Sequence, residues 1–510
     1  MTDTPDIDHV AALAEERDAF RDRLVQRGFS DDGLSLQGPI VWEDGQHETH
    51  TSRVEVTFTE RFPFAPPSVT ILEAEHGFIP TFHIERDGKL CLWPNDTPVH
   101  DAPWRDPDAF IQKVSGWFAK TAMGWPGDED ADLERYLDSN DNCLVLYDDS
   151  LLDEGSFYRT STTSIGAVTI NDKLSWHPNA DRIKNKGKRR KERNLTWVVD
   201  VGAISRPIRT WQDLQEACGK DCETARRLIE VGSLTHILVR YQRGTRRAAL
   251  VVDFPRSSAG IPELRACEGA DQSTETRTLR AGPAAPDYAH KKVAVVGCGA
   301  VGSHAADLLF RSGVRQLALV DPERYRPGNV IRHAADNAFV GALKVSAVKA
   351  QLTATGLDTD QIQTVSGRIT DPDQALQLVR ANDVIVDATA DARATALLRW
   401  ATEAAGGRLI SVCIQRDGGI ARVDRFPLQA DETHLEPVPP APGGGQVMQE
   451  RGCGSPVSAT PPLSVVKAAT MTCQVALDHL DGAPSLAATI LEVIEPQEDA
   501  PYNVVGILTS

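Results

Sequence analysis

The stretch VAVVGCGAVGSHAADLL, residues 293–309, constrains this chain more than any other. A short apolar run, a Gly-x-Gly-x-x-Gly turn and a helix-period segment follow one another without a gap. Glycine lets backbone approach a phosphate closely, and the helix start supplies N–H donors and partial positive charge. Gly297, Gly299 and Gly302 are therefore candidate nucleotide-cradle residues. RQLALVD follows as a second strand, and Asp321 ends it, 24 residues after Gly297, where a carboxylate can hold ribose hydroxyls. DVIVDAT and RLISVCI continue the alternation, which predicts a parallel, doubly wound sheet. The turn alone is compatible with a dehydrogenase or an ATP-using enzyme.

The rest of the 510 residues leaves room for about three domains. A helix is predicted from residue 9, then strands at LSLQGPIVWE, TSRVEVTFT and SVTILEA, then a helix in DPDAFIQKVSGWFAKTA with Asp106 at its start. The acidic patch GDEDADLERYLDSNDN closes this part near 150. Residues 1–155 hold 33 acidic and 12 basic side chains, so nucleic acid is not expected as a partner there. Residues 151–285 read less clearly. LTWVVDVGAI reads as a strand, HILVRYQRGTRRAALVVDF as a hairpin turning at Gly244, and TWQDLQEACGKDCETARRLIEVG as a helix broken near Gly219. The basic run 184–193 reads as a solvated loop, with docking to an acidic surface as the alternative, and STETRTLRAGPAAPDY as a linker.

Nine cysteines without paired ligand spacing argue against a structural zinc site and fit free thiols in a reducing cytosol. The acidic N-terminus is no signal peptide, and no apolar run approaches a membrane span, so a cytoplasmic location is expected.

The segment after the second strand narrows the chemistry. Asn329, Arg332 and Lys344 cluster downstream of Asp321. Hydride transfer has no use for such donors. Attack on an α-phosphate does, because charge builds on the phosphoryl oxygens and on the leaving pyrophosphate. Magnesium would then want a carboxylate at a strand's C-terminal end, and Asp387 and Asp391 in VIVDATAD sit there.

These residues resemble the ThiF/MoeB superfamily of adenylyltransferases, which includes the ubiquitin-activating enzymes, over about 290–480. The resemblance implies ATP and Mg2+ as cofactors, Asp321 on ribose, Asn329 and Arg332 on the phosphates, and Lys344 beside them. The family reads Asp-x-Thr-Asp where this chain has Ala390 followed by Asp391, so the choice of metal ligand between Asp387 and Asp391 stays open.

Cys453 follows the Pro-then-Gly segment EPVPPAPGGG and precedes a helix start at Thr460, Pro461 and Pro462. That position favours a thiolate nucleophile, and RGCGSPVSATPP resembles the crossover loop of activating enzymes, near 436–460. Cys298 reads as a small filler in the turn, and Cys413 and Cys473 as core. Cys143, Cys218, Cys222 and Cys267 have no supporting context.

Residues 20–137 resemble a ubiquitin-conjugating domain: RFPFAPPSVTIL matches its proline-rich turn, and DGKLCLW its active-site segment. The resemblance makes Cys91 a second thioester carrier. It puts His83 where the family has its oxyanion-steadying asparagine; an imidazole N–H can donate that bond, with packing as the alternative. Trp93 reads as a packing residue.

The expected architecture is α/β: a ubiquitin-conjugating-like α+β domain over 1–150, an α+β connector over 151–285 and a ThiF/Rossmann-like doubly wound adenylation domain over 286–510. This order resembles the fused activating and conjugating enzymes of bacterial cyclic-oligonucleotide antiphage operons (CBASS). The implied function is adenylation of a partner protein's C-terminal carboxylate, its passage as a thioester from Cys453 to Cys91, and conjugation to a target lysine. The implied partner is a cGAS/DncV-like nucleotidyltransferase or a ubiquitin-like protein, and the implied assembly a homodimer. The alternatives are another bacterial ubiquitin-like conjugation operon and a non-catalytic nucleotide-binding scaffold.

Overall fold

The computed structural model describes residues 9–510, except 75–77, 79–80, 95–96, 99–101, 176–177, 179–193, 220–221, 256–261, 441–447, 450–455 and 483. The basic run 184–193 and Cys453 lie outside the described residues. The chain forms two compact units, Met1–Ser273 and Thr274–Ser510.

The first unit opens with helix His9–Gln26 and an antiparallel meander, Ser30–Asp31, Ser35–Glu43, Thr49–Thr57 and Ser68–Glu73. Alternation along Ser35–Glu43 and Thr49–Thr57 turns Leu36, Ile40, Val54 and Val56 inward, each fully buried. Helix Pro107–Ala122 packs on that face through Phe110, Val114, Trp117 and Phe118. It starts where Asp106 accepts the N–H groups of Asp108 and Ala109, with Pro107 at its first position.

Next comes a closed seven-stranded barrel, in the order Arg246–Asp253, Arg265–Asp271, Asp138–Tyr147, Val168–Lys173, Phe157–Thr162, Leu195–Ala203, Leu234–Arg243. It begins at Asp138, inside the segment assigned by sequence to the N-terminal domain, because Asp138–Tyr147 pairs in parallel with Arg265–Asp271 far along the chain. The barrel interior takes one or more residues from every strand: Val145, Tyr158, Ile170, Val198, Leu238, Val251 and Cys267. The opposite parity, including Trp197, Val199, Ile237, Val239 and Val252, packs outward against helices Trp211–Cys218 and Cys222–Glu230. Gly219 separates those helices with φ 68°, a conformation glycine supplies at low cost.

In the second unit the segment read as a linker contains two short helices, Thr274–Thr278 and Ala285–Tyr288. Five strands then form a parallel sheet in the order Gln363–Val365, Gln316–Val320, Lys292–Val296, Val384–Asp387, Leu409–Gln415. Three antiparallel strands, Ile420–Phe426, Thr489–Val493 and Gly506–Thr509, extend it. The change of direction follows from the connection: four residues between Gln415 and Ile420 can make a hairpin but no crossover. Helices Ala300–Arg311 and Pro462–Leu480 cover one face; Pro372–Ala381 and Ala392–Ala405 cover the other. Strand order reverses beside Lys292–Val296, which puts a switch-point crevice at its C-terminal end. Among the described residues no helix is long and apolar enough to cross a membrane.

Trp197 is 2% exposed and stacks on Phe157 at 6.1 Å. Trp197→Ala is expected to destabilise the first unit by ~3–5 kcal/mol, read as a lower denaturant midpoint in tryptophan-independent circular dichroism.

Candidate functional site

Two clefts hold most of the residues singled out above, one in each unit. In the second unit the three glycines have three separate roles. Gly297 turns with φ 88°, and a Cβ there would sit 2.6 Å from the Ala388 carbonyl oxygen. A Cβ on Gly302 would lie 1.7 Å from the Gly297 carbonyl oxygen, so only glycine allows the helix to seat against the turn. A Cβ on Gly299 would meet nothing within 4 Å; this residue borders open space at the N-cap of Ala300–Arg311. The turn is a cradle with its floor packed tight and its mouth empty.

That mouth opens into a cleft of about 450 Å³ lined by Gly297, Gly299, Asp321, Lys344, Arg368 and Asp391, among others. Asp321 is buried, and its two carboxylate oxygens accept the N–H groups of Cys298 (2.8 Å) and Glu323 (2.7 Å). Burial pushes its carboxyl up, opposed by the Glu323 N–H and by Lys344. Lys344 is buried at the start of helix Lys344–Thr353 and donates to Glu323 Oε2 at 2.6 Å. Arg368 and Arg393 on the cleft wall were not singled out by sequence.

Asp387 and Asp391 differ in setting. Asp387 is 1% exposed and accepts from Thr389 N–H (3.1 Å), Thr389 Oγ1 (2.7 Å), Thr395 Oγ1 (2.5 Å) and Ser411 Oγ (3.3 Å). Asp391 lines the cleft, caps helix Ala392–Ala405 and follows Ala390, whose φ is 51°. Asn329 and Arg332 lie outside the cleft lining. Asn329 Oδ1 accepts the Arg326 N–H at 2.8 Å. The Arg332 guanidinium donates to the Ser458 and Thr460 carbonyls at 3.1 and 3.4 Å, just beyond the 450–455 segment that carries Cys453. Cys298 and Cys473 are buried, and burial pushes the Cys473 thiol up to about 12 and the Cys413 thiol up to about 11.

In the first unit Cys91 lines a cleft of about 830 Å³ with His83, Lys113, Trp125, Asp130 and Arg135. Its N–H donates to the His83 carbonyl at 2.9 Å, and Trp117 Nε1 donates to the same oxygen at 2.9 Å. His83 has φ 56°, unusual for a non-glycine residue. It is held there by its own N–H donating to Tyr136 Oη (2.9 Å), by Nε2 against Asp128 Oδ2 (2.8 Å) and by the Trp125 ring, 4.0 Å away. Asp128 also takes the guanidinium of Arg243 from the barrel. Burial works against the Asp128 carboxylate, but Arg243 and His83 hold it below the usual range. Trp93 packs against Trp104 and Phe110.

The residue that reaches the sulfur is Arg135, whose Nη1 donates to Cys91 Sγ at 3.2 Å. Asp132 and Asp130 orient its guanidinium at 3.0 and 3.1 Å. Burial pushes the Cys91 thiol up, and Arg135 opposes that shift. Sequence reasoning missed Arg135, 44 residues away in an acidic patch; being the one basic residue in that patch is the signal that could have found it.

Residues 284–440 match the ThiF family. The ATP-dependent ubiquitin transferase-like protein Cap2 of Enterobacter hormaechei subsp. hoffmannii is 30% identical over 152 residues, 29% of this chain and 25% of that protein. Cap2 of Vibrio cholerae serotype O1 is 27% identical over 124 residues, 24% and 21% of the two chains. The chain thus spans about a quarter of the length of these curated relatives. The crystal structure of E. coli MccB aligns with a TM-score of 0.35 at 19% identity, over 47% of this chain and 70% of that one.

Arg135→Gln removes the cation beside Cys91. The thiol is then expected to hold its proton to higher pH, so alkylation of Cys91 by iodoacetamide at neutral pH slows several-fold and the rate–pH profile moves alkaline, measured by peptide mass spectrometry.

Proposed function

With a ThiF-family domain at residues 284–440 as the premise, we propose that this chain is an ATP-dependent, ubiquitin-like ligase that activates the C-terminal carboxylate of a partner protein. The observation that carries the reading is the empty mouth at Gly299, walled by Asp321 and Lys344. A nucleotide triphosphate fits that donor set: backbone N–H groups and a lysine for phosphates, a carboxylate for ribose.

In the first step a carboxylate oxygen attacks the α-phosphorus, the bond to the bridging oxygen breaks, and pyrophosphate leaves. Lys344, freed from Glu323 by the incoming phosphates, stabilises charge growing on their oxygens. Mg2+, when bound, would neutralise phosphate charge; of the two candidate aspartates, Asp391 lines the cleft and would hold it, whereas Asp387 is buried outside the lining. The Cys453 thiolate then attacks the acyl carbon and AMP leaves. Arg332, tied to the carbonyls of Ser458 and Thr460, anchors the chain just after that cysteine.

Cys91 takes the acyl group next, releasing the Cys453 thiolate. One thioester replaces another, so the step asks mainly for proximity, which a shared chain raises. At Cys91 the Arg135 guanidinium steadies the attacking thiolate, while His83 fixes the Cys91 backbone. A target lysine amine finally displaces the Cys91 thiolate and forms an amide. The proposed acyl donor is the C-terminus of a cGAS/DncV-like nucleotidyltransferase, in CBASS antiviral defence, and the proposed assembly a homodimer through the adenylation domain. The similarity to two proteins named Cap2 supports this setting.

ATP–pyrophosphate exchange tests the reading. Exchange that depends on a protein C-terminal carboxylate supports it, and no exchange with any such partner overturns it. Lys344→Ala is expected to slow exchange by about 10²–10³-fold. Cys91→Ala should leave exchange unchanged and leave the partner held on Cys453 alone, seen by mass spectrometry as an adduct cleaved by hydroxylamine or added thiol. Loading unaltered by Cys453→Ala would remove Cys453 from the pathway.

A further inference from the structure

Three side chains that no part of this mechanism uses meet inside the barrel. Cys143 lies on Asp138–Tyr147, Cys267 on Arg265–Asp271 and His236 on Leu234–Arg243. Cys267 belongs to the interior cluster with Val145 and Leu238. Cys143 stands two residues before Val145 and His236 two before Leu238, the spacing that puts side chains on one face of a strand. The two sulfurs and a ring nitrogen lie within 4.8 Å of one another. Neither cysteine is in a disulfide; Cys267 is fully buried and His236 is 9% exposed.

We propose that Cys143, Cys267 and His236 bind a zinc ion that fastens three strands of the barrel together. Zn–S bonds of about 2.3 Å and a Zn–N bond of about 2.05 Å at a tetrahedral angle set sulfur and nitrogen about 3.6 Å apart. Cys143 Sγ and His236 Nε2 are 3.6 Å apart. The imidazole has the partner a metal-bound ring needs. Thr235 Oγ1 lies 3.2 Å from the Leu195 carbonyl and 2.9 Å from His236 Nδ1. With zinc on Nε2 the ring proton would sit on Nδ1 and be donated to Thr235 Oγ1, whose own proton goes to the Leu195 carbonyl.

The charge arithmetic agrees. Two thiolates and one dication sum to zero, so the assembly can be buried without a leftover charge. Asp253, the neighbouring carboxylate, is already taken by Arg265 at 2.9 and 2.7 Å and by Asn140 at 2.7 Å. Among the described residues the group supplies three ligands, and in the proposed site water would complete the tetrahedron. The benefit is local: pairing between Arg265–Asp271 and Asp138–Tyr147 loses register between Ala266 and Glu268, beside Cys267. A metal there replaces the missing ladder.

The test uses the full chain, purified under reductant and loaded with Zn2+ or Co2+ in turn. Elemental analysis should find about one zinc ion per chain. The Co2+ form should show the intense d–d bands and thiolate charge-transfer absorption of a tetrahedral sulfur-containing site. Cys267→Ser and His236→Gln should each lose the metal and the spectrum, with Cys413→Ser as a control that keeps both. If a variant does not fold, alkylation of the wild-type chain decides: zinc release should track modification of Cys143 and Cys267. Reduced wild-type protein without zinc or cobalt, metal retained at full stoichiometry in both ligand variants, or Cys143 and Cys267 joined as a disulfide would each overturn the proposal.

Discussion

The second unit depends on one close approach: the Cα of Gly302 against the carbonyl oxygen of Gly297. A single added carbon would have to occupy space already filled by that oxygen, so the helix seats only with glycine there. Once it seats, its N-terminus points across Gly299 at the crevice where strand order reverses. Asp321 then reaches back to the Cys298 N–H and locks the turn from the other side. The Gly297 and Cys298 N–H groups are taken by the Val320 carbonyl and by Asp321, and Lys344 holds Glu323, so the part of the turn that faces the crevice is the helix start at Gly299. A tight floor and an unoccupied rim are the same constraint seen from two sides.

The site around Cys91 is organised differently, by charge. Asp128 sits between the His83 ring and Arg243, and Asp130 and Asp132 hold Arg135 against the sulfur. An acidic run that looks like a solvated surface is in fact a scaffold for one guanidinium. Its carboxylates are spent in pairs, which is why this strongly acidic part of the chain still presents a cation to its thiol.

Legibility in the sequence followed contact range. The doubly wound sheet could be read because its strands are short continuous apolar runs, such as Val293–Val296, and its turn carries a motif. The helix from Asp106 and the hairpin at Gly244 were legible through local signals, a cap and a turn. The barrel was not. Asp138–Tyr147 begins with five polar residues and a cysteine, DSNDNC, and its partner strand Arg265–Asp271 lies more than a hundred residues away. The same reason hid Arg135 from Cys91 and kept Cys143, His236 and Cys267 apart: no spacing rule links residues that meet only when a barrel closes. The segment that carries Cys91 was legible as a candidate, and its surroundings only through the fold.

The pairing of Asp128 with Arg243 carries a further consequence. The surroundings of Cys91 are not built by its own domain alone; the neighbouring barrel supplies Arg243, the counter-ion of the Asp128 carboxylate that meets the His83 ring. Such a domain is not a portable module. Excised near residue 137, it would retain every residue its motif requires and lose the guanidinium that balances them, so any transplant into another scaffold has to bring the barrel along.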